Sequence, residues 1–161
     1  GGLIIVIKNI TIHCSATQNH LGIDADVIRS WHTDRGWSDI GYHAIILTDG
    51  TIESGRALDK QGAHVYRHNK DNLGICMIGG VDEEGDSVMN FTVSQFESLD
   101  KLITALTANY PVTVDNIKGH RDWYKDLNGD GIISRNERKK DCPCFDVKHW
   151  LETKEALFEV L

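Results

Sequence analysis

Proline is almost absent from this chain, cysteine is sparse, basic residues are in the minority, and no long apolar run occurs. The two prolines, Pro111 and Pro143, leave no Pro-rich linker, and there is no internal repeat or low-complexity tract to mark a second unit. Four cysteines, at positions 14, 76, 142 and 144, are too few and too unevenly spaced for the disulfide framework of a small secreted domain. Reduced thiols and a metal ligand fit them better. The formal charge of -7 argues against a surface that grips nucleic acid or anionic lipid through general electrostatics, because both need clustered Lys and Arg, and nothing in the sequence demands a local basic patch. No segment approaches the length of a membrane span, and LIIVI at Leu3 to Ile7 is too short and lacks the basic flank of a signal peptide. These absences predict one soluble domain over residues 1–161, made in the cytoplasm without a visible export signal. A chain of this length can bury about two thirds of its unfolded surface, so it needs no metal merely to fold.

The periodicities are those of an α/β domain. Ile10 and Ile12 alternate with Thr11 and His13, which predicts a half-buried strand with His13 at its end, on the face opposite the isoleucines. Asp24 can cap a helix with Val27, Ile28 and Trp31 on one side, ended by Gly36. Tyr42 to Leu47 reads as a strand joined through a tight type I′ turn at Asp49-Gly50 to Thr51-Ile52-Glu53. Gly55 to Asn72 is polar and without period, a surface loop. GICMIG at Gly74 to Gly79 suits a strand buried on both faces. Thr92 and Gln95 form a capping box, Phe91 and Phe96 a staple, and Pro111 stops a helix whose stripe runs Phe96, Leu99, Leu102, Ile103, Leu106, Tyr110. Val112 to Lys118 can make a last strand. Asp146 can cap a final helix with Val147, Trp150, Leu151, Leu157 and Phe158 apolar. Together these give a central mixed β-sheet flanked by helices.

The chemistry concentrates in Gly119 to Phe145. Asp126, Asn128, Asp130, Gly131 and Glu137 match the calcium-loop pattern D-x-[DN]-x-[DN]-G-x5-E at every specified position. Ile132 supplies a main-chain carbonyl position, Ser134 a water-bridged one, and Gly131 the sharp turn. The competing reading is an acidic turn that holds no ion. Arg121 to Lys125 is short for an entering helix, so residues 126–137 predict an EF-hand-like calcium loop, inserted near the C-terminus, without the complete helix pair. His120 and Cys142 are both good zinc ligands, but His120 lies 22 positions before Cys142, and Cys142 and Cys144 are one residue apart. Local spacing alone leaves zinc open.

Several separate motifs then occur in order: HCSAT at His13 to Thr17, WHTDRGWSDIGYHAIILTDGTIESGR at Trp31 to Arg56, GAHVYRHN at Gly62 to Asn69, GICMIGG at Gly74 to Gly80, then GHRD and KDCPCFD. From about residue 13 to 150 the chain resembles the zinc-dependent N-acetylmuramoyl-L-alanine amidases, a family that includes phage amidase endolysins and peptidoglycan recognition proteins. The resemblance implies zinc ligands at His13, His120 and Cys142, with the fourth tetrahedral position open as in a catalytic site. It implies that the protein cleaves the amide between N-acetylmuramic acid and L-alanine. It assigns assisting roles to Tyr42, which orients the attacking water, and Lys140, which stabilises the oxyanion or passes a proton to the leaving amine; Lys139 replaces Lys140 if the register is off by one. Cys142 is favoured over Cys144 because it directly precedes proline and because an extended CPC segment would send the sulfurs to opposite sides. His64 is then a wall of the substrate groove, His43 is structural, and Cys14 and Cys76 are buried hydrophobes. His32, Trp37 and Arg56 belong to the motifs without separable roles.

The expected partner is peptidoglycan or a soluble muropeptide, met by a monomer that binds no nucleic acid and inserts in no membrane. Calcium is expected to order the insertion between two zinc ligands and so position Lys140 and Cys142. A non-catalytic peptidoglycan-binding module is the alternative, although such relatives lose the thiolate ligand that is present here. A structural zinc closed by His13, Cys14, His120 and Cys142 is awkward, since adjacent strand residues face opposite sides.

Overall fold

A computed structural model describes residues 6–160, so most of Leu3 to Ile7 lies outside the described residues. Five strands form one sheet in the order β3-β2-β4-β1-β5: β1 (Asn9–Cys14), β2 (Ala44–Ile46), β3 (Ile52–Ser54), β4 (Asn72–Met77) and β5 (Ile117–Gly119). β1, β2, β4 and β5 run parallel and β3 returns antiparallel on the edge, so the sheet is mixed as expected. Its two faces are packed differently. Ile10, Ile12, Ile46, Leu73, Ile75 and Met77 pack in one core with Leu99 and Ile103 of α2 (Val93–Asn109), Trp150 of α3 (Val147–Thr153) and Phe145 just before α3. The opposite face carries Ile45, Cys76 and Ile78 against α1 (Ala25–Asp34), through Ala25 and Ile28.

β1 is buried on both faces, where alternation predicted burial of one. Its polar residues enter the interior because they are satisfied there. Thr11 donates to Asn72 Oδ1 at 2.8 Å and accepts from Trp123 Nε1 at 2.9 Å. β4 is central and wholly buried, as its apolar run implied. Trp31 is the misplaced residue of α1. The helix buries Ala25, Ile28 and His32, while Trp31 is 41% exposed, because adjacent residues on a helix point about 100° apart and His32 takes the inward position.

The β2–β3 connection is longer than a type I′ hairpin. Gly50 N–H donates to Leu47 C=O and Leu47 N–H to Thr51 C=O, with Gly50 alone at positive φ (+88°). This is a three-residue loop in which glycine provides the left-handed step. Residues Val114–Asn116 form a 3₁₀ turn, so the last strand begins only at Ile117. α3 ends at Thr153, where Lys154 adopts φ +60°, and Leu157 and Phe158 follow outside the helix.

The caps behave as read. Asp24 accepts from Val27 N–H, Asp146 accepts from His149 N–H, and Thr92 with Gln95 closes a full capping box. Gln95 does more than cap. Fully buried, it donates from Nε2 to Ile46 C=O at 3.1 Å and to Ile78 C=O at 3.0 Å, tying α2 to two parallel strands at their ends. Replacing Gln95 by Leu keeps the volume but leaves the Ile78 carbonyl and the Thr92 N–H without their partner, each costing about 1–3 kcal/mol, while the Ile46 carbonyl keeps the N–H of Ile78. Urea denaturation of Gln95→Leu is expected to show a loss of about 3 kcal/mol without a change in slope.

Candidate metal centre and cleft

His13 comes from the end of β1, His120 from the first residue after β5, and Cys142 from the turn before α3. β1 and β5 are paired with Ile12 opposite Gly119, so the next residue on each is a histidine, and the two imidazoles lie 4.7 Å apart between ring centres. Cys142 Sγ stands 3.9 Å from His13 Nδ1. One donor atom from each of His13, His120 and Cys142 lies within 4.8 Å of the other two. Ligands of a tetrahedral zinc with bonds of about 2.0–2.3 Å are separated by about 3.5 Å, so the arrangement fits that ion with small adjustment.

The protonation states fit as well. Burial, followed by the neighbouring His64, His120 and Lys140, holds His13 well below the usual imidazole range. Burial and then Lys140 bring His120 down to about 4. Both rings therefore keep free lone pairs at neutral pH. Cys142 Sγ accepts the main-chain N–H of Cys14 at 3.2 Å. Cys14 itself turns its sulfur to Cys144, 4.0 Å away, and does not join the donor set, so a closed four-ligand site does not form. All four cysteines are free of disulfides.

Cys142 and Cys144 do point to different neighbours, but not by strand alternation. Cys144 N–H closes a tight turn on Asp141 C=O at 2.7 Å, and Cys144 sits at φ +68°. The turn, rather than an extended backbone, separates the sulfurs.

The centre lies in a cleft of about 550 Å³. Tyr42 packs beside His13 with ring centres 5.0 Å apart, and burial first, then the Cys76, Cys142 and Cys14 thiols, raise its hydroxyl well above the ordinary phenol value. It is a neutral donor. Lys140 lines the cleft and Lys139 does not. Trp31, Trp37 and Tyr66 line the cleft and remain exposed to solvent, Tyr66 at 82%. Arg35 lines it too. Among the described residues no Asp or Glu does, although the chain carries 24 of them. Trp31, Arg35, Tyr66 and Tyr124 were not marked from sequence. The legible signal was the adjacency Trp31-His32, since two large neighbours on one helix cannot both turn inward.

His64 lines the cleft, and its ring is hydrogen-bonded to His13, Nδ1 to Nε2 at 2.9 Å. His43 is structural, with Nδ1 accepting from Gly74 N–H and Nε2 meeting Lys60 C=O. His32 accepts Gly41 N–H at 2.9 Å, and Arg56 donates to the carbonyls of Ile40, Gln61 and Asp39. These two motif residues hold the backbone.

Between His120 and Cys142, the acidic insertion gathers Asp126, Asp130 and Glu137 so that one oxygen of each lies within 4.8 Å of the others. Asn128 turns its oxygen to Asp130 N–H, and Ile132 N–H bonds Asp130 Oδ1. No EF-hand helix pair flanks it: the chain enters through a 3₁₀ turn at His120–Trp123 and leaves through another at Arg135–Glu137. Tyr124 is extended, which stops the entering turn after one revolution. Arg138 secures the far side, bonding Ile133 C=O and Asp141 at 3.2 Å each and Glu159.

Comparison with known proteins places this geometry in context. The sequence profile of the N-acetylmuramoyl-L-alanine amidases matches residues 5–144. An endolysin of Enterobacteria phage K11 is 38% identical over 91% of this chain and 86% of that protein, and an endolysin of Escherichia phage T7 is 37% identical over 92% and 87%. Among solved structures, the endolysin amidase LysCS of Clostridium intestinale superposes with a TM-score of 0.64 at 29% identity, covering 86% of this chain and 76% of that one. Bumblebee PGRP-SA superposes with a TM-score of 0.70 at 25% identity, covering 94% and 83%.

If the three donors act as one centre, Cys142→Ser and His120→Ala will each weaken zinc binding about 100-fold or more in chelator competition, with circular dichroism unchanged. Stoichiometric binding by either variant at parental affinity would remove that residue from the centre.

Proposed function

Since this chain belongs to the N-acetylmuramoyl-L-alanine amidase family, we propose that it hydrolyses the amide joining the lactyl group of N-acetylmuramic acid to L-alanine in peptidoglycan, with zinc held by His13, His120 and Cys142. The observation that carries this reading is the convergence of those three donors at the floor of an acid-free cleft. Zinc bound there supplies Lewis-acid polarisation and a nucleophile at neutral pH.

The chain's own groups do the remaining work. The cleft bears three exposed aromatic side chains, whose faces suit the apolar faces of sugar rings, and cations at Arg35 and Lys140. The substrate's lactyl carboxyl is consumed in the scissile amide, so its free carboxylates lie on the peptide arm, and they meet no like charge in the cleft. Tyr42, buried and protonated, donates its hydroxyl hydrogen bond toward the attacked carbonyl or the incoming water. Lys140 brings a positive charge to the side where oxyanion charge develops, and carries a proton for the departing L-alanine amine.

A single chain contains every one of these groups, which supports action as a monomer. No helix among the described residues is long and apolar enough to cross a membrane.

Calcium belongs to the same proposal in a supporting role. Asp126, Asn128, Asp130, the Ile132 carbonyl and Glu137 hold it, with Ser134 at the water-bridged position, and it orders the segment that carries Lys140 and Cys142. The complete loop pattern and the gathered carboxylates support this; three carboxylates so close repel one another without a cation.

The enzymatic reading is tested by the release of new L-alanine amino termini from purified cell wall. His120→Ala is expected to abolish it, and Tyr42→Phe and Lys140→Ala to lower turnover by about 10²-fold or more. Wall binding by the parent without any release would favour the non-catalytic module. For calcium, Asp130→Ala should lose terbium luminescence and the calcium dependence of zinc affinity; a variant matching the parent in both, with and without calcium, removes calcium from the site.

A further inference from the structure

His64 makes two ring hydrogen bonds, and together they admit one pattern of protons. Its Nε2 lies 2.9 Å from the main-chain carbonyl of Asn72, which can only accept, so Nε2 carries the hydrogen. Among the described residues no carboxylate lines the cleft around the ring, and its aromatic neighbours are His13 and His43, so nothing balances a second ring proton and Nδ1 is bare. Nδ1 lies 2.9 Å from His13 Nε2 and must accept from it. The hydrogen of His13 is thereby placed on Nε2, which leaves His13 Nδ1 bare on the side facing Cys142 Sγ. Both nitrogens of His64 are spent, so its ring has none left for substrate.

The surroundings hold this ring in place. A Cβ at position 74 would stand 2.7 Å from His64 Cγ, and one at position 62 would stand 2.7 Å from His64 Cδ2, so two glycines open the niche that the imidazole occupies. Asn69 Oδ1 accepts the N–H groups of His64 and Val65 at 2.8 Å, and Asn72 Nδ2 donates to His68 C=O at 2.8 Å, closing the loop around it. Asn72 Oδ1 takes the hydroxyl of Thr11, two residues before His13 on β1. The loop and the ligand-bearing strand are therefore one bonded unit.

We propose that His64 is a positioning residue that fixes the tautomer and orientation of His13, presenting His13 Nδ1 to the metal, rather than a substrate contact. The proposal rests on the zinc reading above, but it fails separately from it. A backbone carbonyl and a neutral ring do here what a carboxylate commonly does behind a metal-bound histidine. The difference matters, because a neutral acceptor orients the ligand without adding negative charge to the site.

The test uses the metal-free and zinc-loaded full chain. Nitrogen-15 NMR of the histidine rings reads the His13 tautomer without metal, and chelator competition reads zinc affinity. The parent is expected to show His13 wholly as the Nε2–H form. His64→Ala should give a mixed tautomer and a zinc affinity about 10–100-fold weaker. His64→Gln, whose side-chain oxygen can still accept from His13, should recover most of that loss. Should the alanine variant not fold, His64→Phe refills the niche but bonds nothing, and the same loss is expected. Parental affinity or an unchanged His13 tautomer in the variant that folds overturns the proposal, as does a glutamine variant no better than alanine or phenylalanine. A parent that binds no zinc overturns the metal reading itself.

Discussion

The pairing of β1 with a parallel neighbour on each side is the constraint on which the site depends. One register sets Ile12 beside Gly119, and another sets His13 beside Cys76, so His13 and His120 become neighbours although more than a hundred residues separate them in sequence. Because side chains alternate along a strand, a slip of one residue in either register would turn His13 from the cleft into the α2 and α3 layer. The isoleucines at positions 10 and 12 prevent that slip, since it would also drive them out of the main core. Hydrophobic alternation thus specifies the position of a buried histidine.

The cost of this arrangement is a polar stripe inside the molecule. Thr11, His13, His43 and Asn72 are all buried on or beside the functional face. Each has partners: Asn72 joins Thr11 to the His68 carbonyl, His43 joins β4 to the Lys60 carbonyl, and His64 joins His13 to Asn72. A stripe so satisfied rigidifies the cleft wall, and its members support one another. Rigid walls matter because they keep the His13 and His120 donors in the relative position that the proposed metal would need, without further ordering of the chain.

What could be read in the sequence follows the range of the interactions involved. Caps, staples and the buried run of β4 are local, so Asp24, Thr92, Gln95 and Asp146 were legible as helix starts. The triad His13, His120 and Cys142 was legible only through resemblance, because nothing in local spacing joins the first strand to the last turn. Residues decided by tertiary competition were misread. Trp31 fits the apolar stripe of α1 but loses the inward position to His32. Asp49-Gly50 has the composition of a two-residue turn, yet the loop is clasped by α2, where Thr92 and Ser98 hold the Thr48 and Gly50 carbonyls, and the longer turn results. The role of His64 depends on a hydrogen bond between two rings, which no pattern of residues displays.

The distribution of charge around the cleft also shapes how the molecule meets its target. An acidic chain whose aromatic-lined cleft contains cations and, among the described residues, no carboxylates carries an uneven field, less repulsive to anions at that cleft than its net charge of -7 alone implies. Near an anionic polymer mesh, such a molecule would be turned before it touches. Productive encounters would then outnumber random ones, and dissolved salt would erode that advantage by shortening the distance over which the turning force acts.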